Sequence, residues 1–454
     1  MKKNKHRHTW KRILVVSLCT GMLILVLHCG WAADDGEVNM FQLSNGLKVI
    51  YKNNPSNNIL AVECFIDVNA AHEDPSKRGV RNLIQRLLLK GTKKRSAFEI
   101  AAGMESIGGD IETSAKMDYA LVSAISTVDD IDVTFDYLSD VIFNPVFPKY
   151  EFEKERANVL AGIRRAEDDK FSFTYKHFLE SMYPGHPYEF RAEGTEETVS
   201  SITRKDIQEF YKTHYAPEVM TLAIVGNVEE ELLQQKVRKW FGQYRRKAHI
   251  RIETSKSVRA KRRTKTISKD VEQGFIIAGY LTVPVNDAHY PAIKVASAIL
   301  GRGMSSRLFT RVRDEKGLAY SLGSAFPSSR LQSHVFSYIG THPEMLDASL
   351  QAVLREYELL AEKPVTKKEL ERAKNYLIGS FLIDHQTNAQ QAWYLGWYET
   401  IGLGYEFDQK FPDIIKEVTV KDVAKVCRGY FRHPVIVILE PTQEAASQKN
   451  TQNE

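Results

Sequence analysis

One order of secondary-structure patterns runs twice along the 454 residues, and this repetition limits the fold more than any single stretch does. In the first run, VNMFQL, the turn residues Ser44-Asn45-Gly46 and LKVIY predict a hairpin over 38–51, and Leu60–Val68 continues as a strand. Helical periodicity follows at Gly79–Thr92 and Ala97–Ile107, and Gly108-Gly109 is a break. Asp110–Ser114 and Tyr119–Ser126 alternate like paired strands, and long helical patterns lead to a strand at Thr221–Val225 and a helix at Glu229–Phe241. The second run starts with a strand at Gly274–Tyr280 and a helix at His289–Leu300. A helix at Ser306–Asp314 is stopped by Gly317, and strands are predicted at Ala319–Ala325 and His334–Gly340. Helices from Met345 and Thr366, a last helix at Lys421–Phe431 and a strand at Pro434–Leu439 complete it. The expectation is a pair of similar α+β domains, at 38–245 and 269–440, each a mainly antiparallel sheet packed with helices. Residues 246–268 carry many basic residues and little apolar periodicity, so they read as a solvated linker or a docking strip for a partner. The polar tail, 441–454, reads as disordered.

The N-terminus stands apart. Lys2, Lys3, Lys5, Arg7, Lys11 and Arg12 precede the apolar run Ile13–Leu27, and Gly30 and Ala32 suit a signal-peptidase cut after Ala32. Residues 1–32 therefore read as a signal peptide, and the protein as exported: periplasmic, or membrane-anchored facing the periplasm if the segment is retained. Cys29 follows Val26-Leu27-His28, a poor lipidation box. These 32 residues hold six of the 62 Lys and Arg and no acid, which leaves 56 against 57 acids and a net charge near −1. The basicity belongs to the targeting segment and gives no argument for nucleic acid. Cys64 and Cys427, far apart in apolar contexts, read as buried free thiols.

The helix at Gly79–Thr92, GVRNLIQRLLLKGT, is amphipathic: Val80, Leu83, Ile84, Leu87 and Leu88 recur at helical spacing. Asn82, Gln85 and Arg86 fall at i, i+3 and i+4 on the opposite face. Helices present metal ligands with this spacing, but these three residue types are poor ligands.

LLLKGT, KKRSAFEI and ESIGGDI, then EKERANVL, YPGHPYEFRAEGT, THYAPEVMTLAIVGNV, GRGMSSRLFTRVRDEKGLAYSLGS and ERAKNYLIGSF, resemble the pitrilysin/insulinase family of zinc metallopeptidases over 38–440. The resemblance is to its small bacterial and mitochondrial-processing-type members, and it implies paired α+β domains. It also implies an inverted zinc motif, H-x-x-E-H, with a further Glu ligand from a later helix. Counted from Leu89-Lys90-Gly91-Thr92, the motif positions hold Asn82, Gln85 and Arg86, and the third-ligand position holds Gly162. Asn and Gln offer neutral carbonyl oxygens where zinc takes His, Cys or carboxylate. Arg86 carries a fixed positive charge, Gln85 cannot take a proton from water, and Gly162 has no side chain. His72-Glu73 is followed by Ser76, so no H-E-x-x-H exists, and His186 and His214 match structural positions of the family.

A second family feature is retained. Arg313 and Tyr320, in VRDEKGLAYS, match an Arg/Tyr pair that reaches the substrate backbone beside the metal. The alternative is packing, with Arg313 on the carbonyls ending its helix and Tyr320 in the sheet. The family's peptide-gripping edge strand carries Asn-Ala where this chain has Glu112-Thr113. Together these features imply an exported, non-catalytic subunit with no cofactor of its own. Its expected partner is a related peptidase chain that keeps H-x-x-E-H and holds the zinc, and its expected ligand is a peptide. A non-enzymatic binding or scaffold protein of the same fold is the alternative.

Overall fold

The computed structural model describes residues 36–248 and 257–442. The predicted signal segment, the middle of the basic stretch and nearly all of the tail lie outside the described residues. Strands β1 (Val38–Gln42) and β2 (Lys48–Asn53) form the expected hairpin, with Gly46 at φ +92° in its turn. A Cβ on Gly46 would meet Glu218 Cβ at 2.7 Å, so glycine is required there twice over. Next come β3 (Ile59–Ile66), α1 (Val80–Leu88), α2 (Ala97–Ser106), β4 (Asp110–Ala115) and β5 (Ala120–Thr127). Five helices follow: α3 (Ile131–Phe143), α4 (Lys149–Asp168), α5 (Lys170–Met182), α6 (Glu196–Ser201) and α7 (Arg204–His214). Then β6 (Met220–Gly226) and α8 (Glu230–Phe241) close the first half.

The second half comprises β7 (Arg263–Lys269), β8 (Gly274–Leu281), α9 (Tyr290–Gly301), a π-helical turn at Leu308–Asp314, β9 (Ser321–Ala325) and β10 (His334–Thr341). Five helices follow again: α10 (Leu346–Glu362), α11 (Lys367–Asp384), α12 (Asn388–Thr400), α13 (Phe407–Glu417) and α14 (Val420–Tyr430). Strand β11 (Val435–Pro441) ends the half.

The first sheet runs β1-β2-β6-β3-β5-β4 and the second β7-β11-β8-β10-β9. Removing β1 makes the two orders the same, and in each one pair is parallel: β2 with β6, and β7 with β11. Each half is thus α+β with a mainly antiparallel sheet, as the twofold pattern implies. The equivalence identifies β7 as the counterpart of β2 and corrects the expected linker, whose last residues form a strand. RTKTISK shows no apolar alternation because β7 is an edge strand, and exposed edges are kept polar and charged. Lys265 reaches Glu180 of α5 at 3.5 Å, Lys269 Nζ donates to the Glu167 carbonyl, and Arg263 donates to that of Ser181.

The halves exchange helices. Helix α5 of the first half packs on β8 and β11, and α12 of the second packs on β3 and β6. The crossings are close: a Cβ on Gly396 of α12 would lie 2.5 Å from the Phe65 ring, and one on Gly279 of β8 would lie 2.7 Å from Phe178 of α5. Asp118 reinforces the seam by accepting from Tyr188 OH and, at 3.0 Å, from the Arg330 backbone N–H. From Val38 onward the chain is therefore one compact unit rather than two separable bodies. Cys64 and Cys427 are buried free thiols within it.

Candidate functional site: a polar helix face and an exposed Arg/Tyr pair

Helix α1 starts at Gly79, whose φ of +96° and whose approach to the Glu193 carbonyl (2.5 Å from a Cβ) exclude a side chain. Val80, Leu83, Ile84, Leu87 and Leu88 are buried, as the spacing predicts. Two charged residues, to which the sequence reading gave no structural role, fix the helix start. Glu73 Oε1 accepts from the backbone N–H groups of Gly79 (3.2 Å) and Arg81 (3.0 Å). Arg81 is wholly buried, 3.5 Å from the same oxygen, and donates to the carbonyls of Val68 (3.0 Å) and Lys116 (2.8 Å). A charged residue at a helix start reads as solvated, so periodicity gives no signal for this pair.

The polar face also differs from the expectation. Gln85 is 1% exposed and does not share an open face with Asn82 and Arg86. Its Nε2 donates to Tyr215 OH at 2.9 Å, Thr113 Oγ1 donates to its backbone carbonyl at 2.7 Å, and its Oε1 has no protein partner. Helix α1 is covered on several sides, by β4 and by α4 and α7, which leaves a narrower open strip than an amphipathic wheel implies. Asn82 and the exposed Arg86 form that strip, with Arg86 Nε donating to Asn82 Oδ1 at 3.3 Å.

Across from it on α4 stands Glu155, 5% exposed. Arg86 lies 3.5 Å from one of its oxygens and Lys90 lies 3.4 Å from the other. Arg86 of α1 and Lys90, just past its end, therefore balance a buried carboxylate. Glu155 precedes Gly162 by seven residues and so shares its face of α4, a signal present in the sequence. Gly162 itself faces open space, with nothing within 4 Å of an added Cβ. With Arg86 it lines a cleft of about 520 Å³ that also takes in Lys176, Arg191, Glu189 and Glu193.

These residues do not fit zinc. Gln85 spends its amide N–H on Tyr215, Arg86 puts a guanidinium where a neutral imidazole would be needed, and Gly162 supplies no donor. Among the described residues no group of three His, Cys, Asp or Glu side chains has metal-holding geometry.

Arg313 and Tyr320 lie elsewhere. The segment expected as an α-helix over Ser306–Asp314 is π-wound from Leu308, with Glu315 N–H bonding the Thr310 carbonyl. Arg313 is exposed, its guanidinium 4.9 Å from the Phe309 ring centre. Gly317, at φ +66°, turns the chain, and Tyr320 N–H joins the Gly340 carbonyl at 3.0 Å just before β9. Tyr320 is 62% exposed. Among the described residues, no hydrogen bond or ion pair connects Arg313 or Tyr320 with Asn82, Gln85, Arg86 or Gly162. Glu112 and Thr113 lie on β4, an edge of the first sheet.

Two further buried groups titrate away from their ordinary ranges. The Glu63 carboxyl on β3 is pushed up to about 8 by burial, against a hydrogen bond from Ser123 and with some help from the charge of Glu112. Burial pulls His334 down to about 3, its two ring nitrogens bonded to the hydroxyls of Tyr183 (2.8 Å) and Tyr175 (3.1 Å).

A family model described as Insulinase (Peptidase family M16) matches residues 48–196, and one described as Peptidase M16 inactive domain matches 201–377. A Streptomyces coelicolor protein named an uncharacterized zinc protease is 28% identical over 418 residues, 90% of this chain and 91% of its own. A Bacillus subtilis protein of the same description is 27% identical over 356 residues, 78% and 86% of the two chains. Two crystal structures share the fold. A protease from Helicobacter pylori superposes with a TM-score of 0.85 at 22% identity, covering 89% of this chain and all of that one. A peptidase M16 inactive domain from Pseudomonas fluorescens gives 0.83 at 23%, covering 89% and 98%.

Proposed function

We propose, from the premise that the chain belongs to the insulinase (M16) family of peptidases, that it is an exported pseudo-peptidase subunit. It would pair with a related chain that keeps H-x-x-E-H and the zinc, and would supply Arg313 and Tyr320 to the peptide held there. The observation that carries this reading is the donor set on α1 and α4: Asn82, Gln85, Arg86 and Gly162, with Arg86 facing Glu155 at 3.5 Å. Four changes at once remove every ligand and the general base. The "inactive domain" description concerns residues 201–377 and is not the ground for this inference, which rests on the first half. The exposure of Arg313 and Tyr320 suits contact with a second chain. The guanidinium of Arg313 lying on Phe309 favours the other reading, a binding or scaffold protein of this fold.

The test is to purify the protein alone and with such a partner, and to measure zinc content and peptide cleavage. The expected result is no zinc and no cleavage alone, and cleavage by the pair that falls about 100–1,000-fold on Arg313→Ala or Tyr320→Phe. A partner fully active alone and indifferent to these substitutions would sink the subunit reading. Stoichiometric zinc in the isolated chain, lost on changing Gln85, would overturn the inactive assignment.

A further inference from the structure

The strand-for-strand repeat pairs α1 with α9, α4 with α11 and α5 with α12, because each set occupies the same place between equivalent strands. The cleft beside Arg86 is built on α4 and α5, with Arg86 contributed by α1. Its counterpart in the second half is a cavity of about 580 Å³ built on α11 and α12, with Tyr290 and Lys294 contributed by α9. The β4–β5 turn of the first half, at 116–119, closes one side. The two equivalent spaces differ in chemistry. The first is lined by charged residues of both signs, whereas nine aromatic rings line the second.

The cations of the second cavity are not paired with its two acids. Lys116, Lys294 and Arg302 line it, and none of them makes an ion pair among the described residues. Lys294 Nζ has a single hydroxyl, Ser328 Oγ at 3.3 Å, and sits 5.5 Å from the Tyr290 ring centre. The two acids of the lining are already engaged. Asp118 accepts from Tyr188 and from the Arg330 N–H, and Asp384 accepts from Tyr394 OH at 3.1 Å. On the wall, Trp393 and Trp397 stack at 5.2 Å and 15°. A volume in the usual range for small-molecule sites, a flat aromatic wall and unpaired cations at its edge select a ligand of one kind.

We propose that this cavity binds an aromatic anion, a planar apolar ring carrying a carboxylate, sulfonate or phosphate, with the ring against Trp393 and the charge between Lys294 and Arg302. The ring replaces water over apolar surface, and the anion makes charge-assisted hydrogen bonds of about 1.5–3 kcal/mol, roughly a 10–100-fold gain.

Anilinonaphthalene sulfonate is a suitable probe of this chemistry, and phenylnaphthylamine is its uncharged counterpart. Fluorescence titration of the full chain is expected to show one saturable sulfonate site per chain. Raising the salt concentration, or replacing Lys294→Met together with Arg302→Gln, should weaken that site about 10-fold or more while the thermal midpoint holds. Binding of the uncharged dye should be unaffected by the double substitution, and Trp393→Leu should weaken both dyes. Arg302 is exposed, so Arg302→Gln alone is a variant expected to fold and should still weaken the sulfonate. Absent or unsaturable sulfonate binding would overturn the assignment. So would sulfonate affinity unchanged by the cation variants, or both dyes weakened alike by them.

Discussion

If Arg86 and Lys90 balance the buried charge of Glu155, their contributions must depend on that carboxylate. At 3.5 Å and an effective dielectric of about 20, one such pair is worth about 5 kcal/mol of bare Coulomb energy. The Arg86 side chain is 46% exposed and that of Lys90 32%, so solvent screening reduces each to about 1 kcal/mol. Losing both is different, because a carboxylate with a 6% exposed side chain would be left without a partner, at a cost of about 3–5 kcal/mol. The expectation is therefore about 1 kcal/mol for Arg86→Met or Lys90→Met alone and more than their sum for the pair. In a Glu155→Gln background neither substitution should cost anything appreciable. Urea-unfolding midpoints of the full chain across this cycle read the coupling directly. Chelator should leave every midpoint unchanged. Costs that simply add, and that persist in the Glu155→Gln background, would refute the reasoning.

Four other outcomes follow from the geometry. Restoring Asn82→His, Gln85→Glu, Arg86→His and Gly162→Glu together should give a folded chain that retains about one zinc after dialysis, measured by elemental analysis, since Gly162 has room for a side chain. No single restoration should do so. Glu63 is protonated in the folded state up to about 8 but ionises from 4.5 when unfolded, so the folded state binds the extra proton between those values. Its contribution to stability therefore falls as pH rises through that window, and Glu63→Gln should add up to about 4 kcal/mol of stability at pH 8, read as a higher melting midpoint, and little at pH 5. Gly396→Val should lower the unfolding midpoint by an amount equivalent to about 2–3 kcal/mol, because its Cβ would enter the Phe65 ring. Gly162→Ala, in open helix, should instead be neutral or stabilising by up to about 1 kcal/mol.

The twofold order of elements was legible because most strands and helices bury one face, and burial leaves a period in the residues. Strand β7 was not, since an edge strand whose cations bond α4 and α5 has the composition of a linker. Asn82, Gln85, Arg86 and Gly162 could be located by count from Leu89–Thr92, but the burial of Gln85 against Tyr215 depends on what α7 brings to the helix. Arg81 and Glu73 were invisible for the converse reason: a buried ion pair looks, residue by residue, like two solvated charges. The Glu155 partnership could have been found from its seven-residue spacing to Gly162. The helix exchange has no local signature, because nothing in the residue patterns of α5 and α12 says which sheet they will cover.

That exchange sets an order on synthesis. The inner strands of the first sheet, β3 and β6, are complete at Gly226, but the helix that covers them ends at Thr400. At about 5–20 residues per second, the ribosome leaves the apolar row of Ala61, Phe65, Ala223 and Val225 uncovered for roughly 9–35 seconds. A chain released short of residue 388 would carry an apolar sheet face with nothing of its own to bury it, and should be bound by chaperones or lost to aggregation.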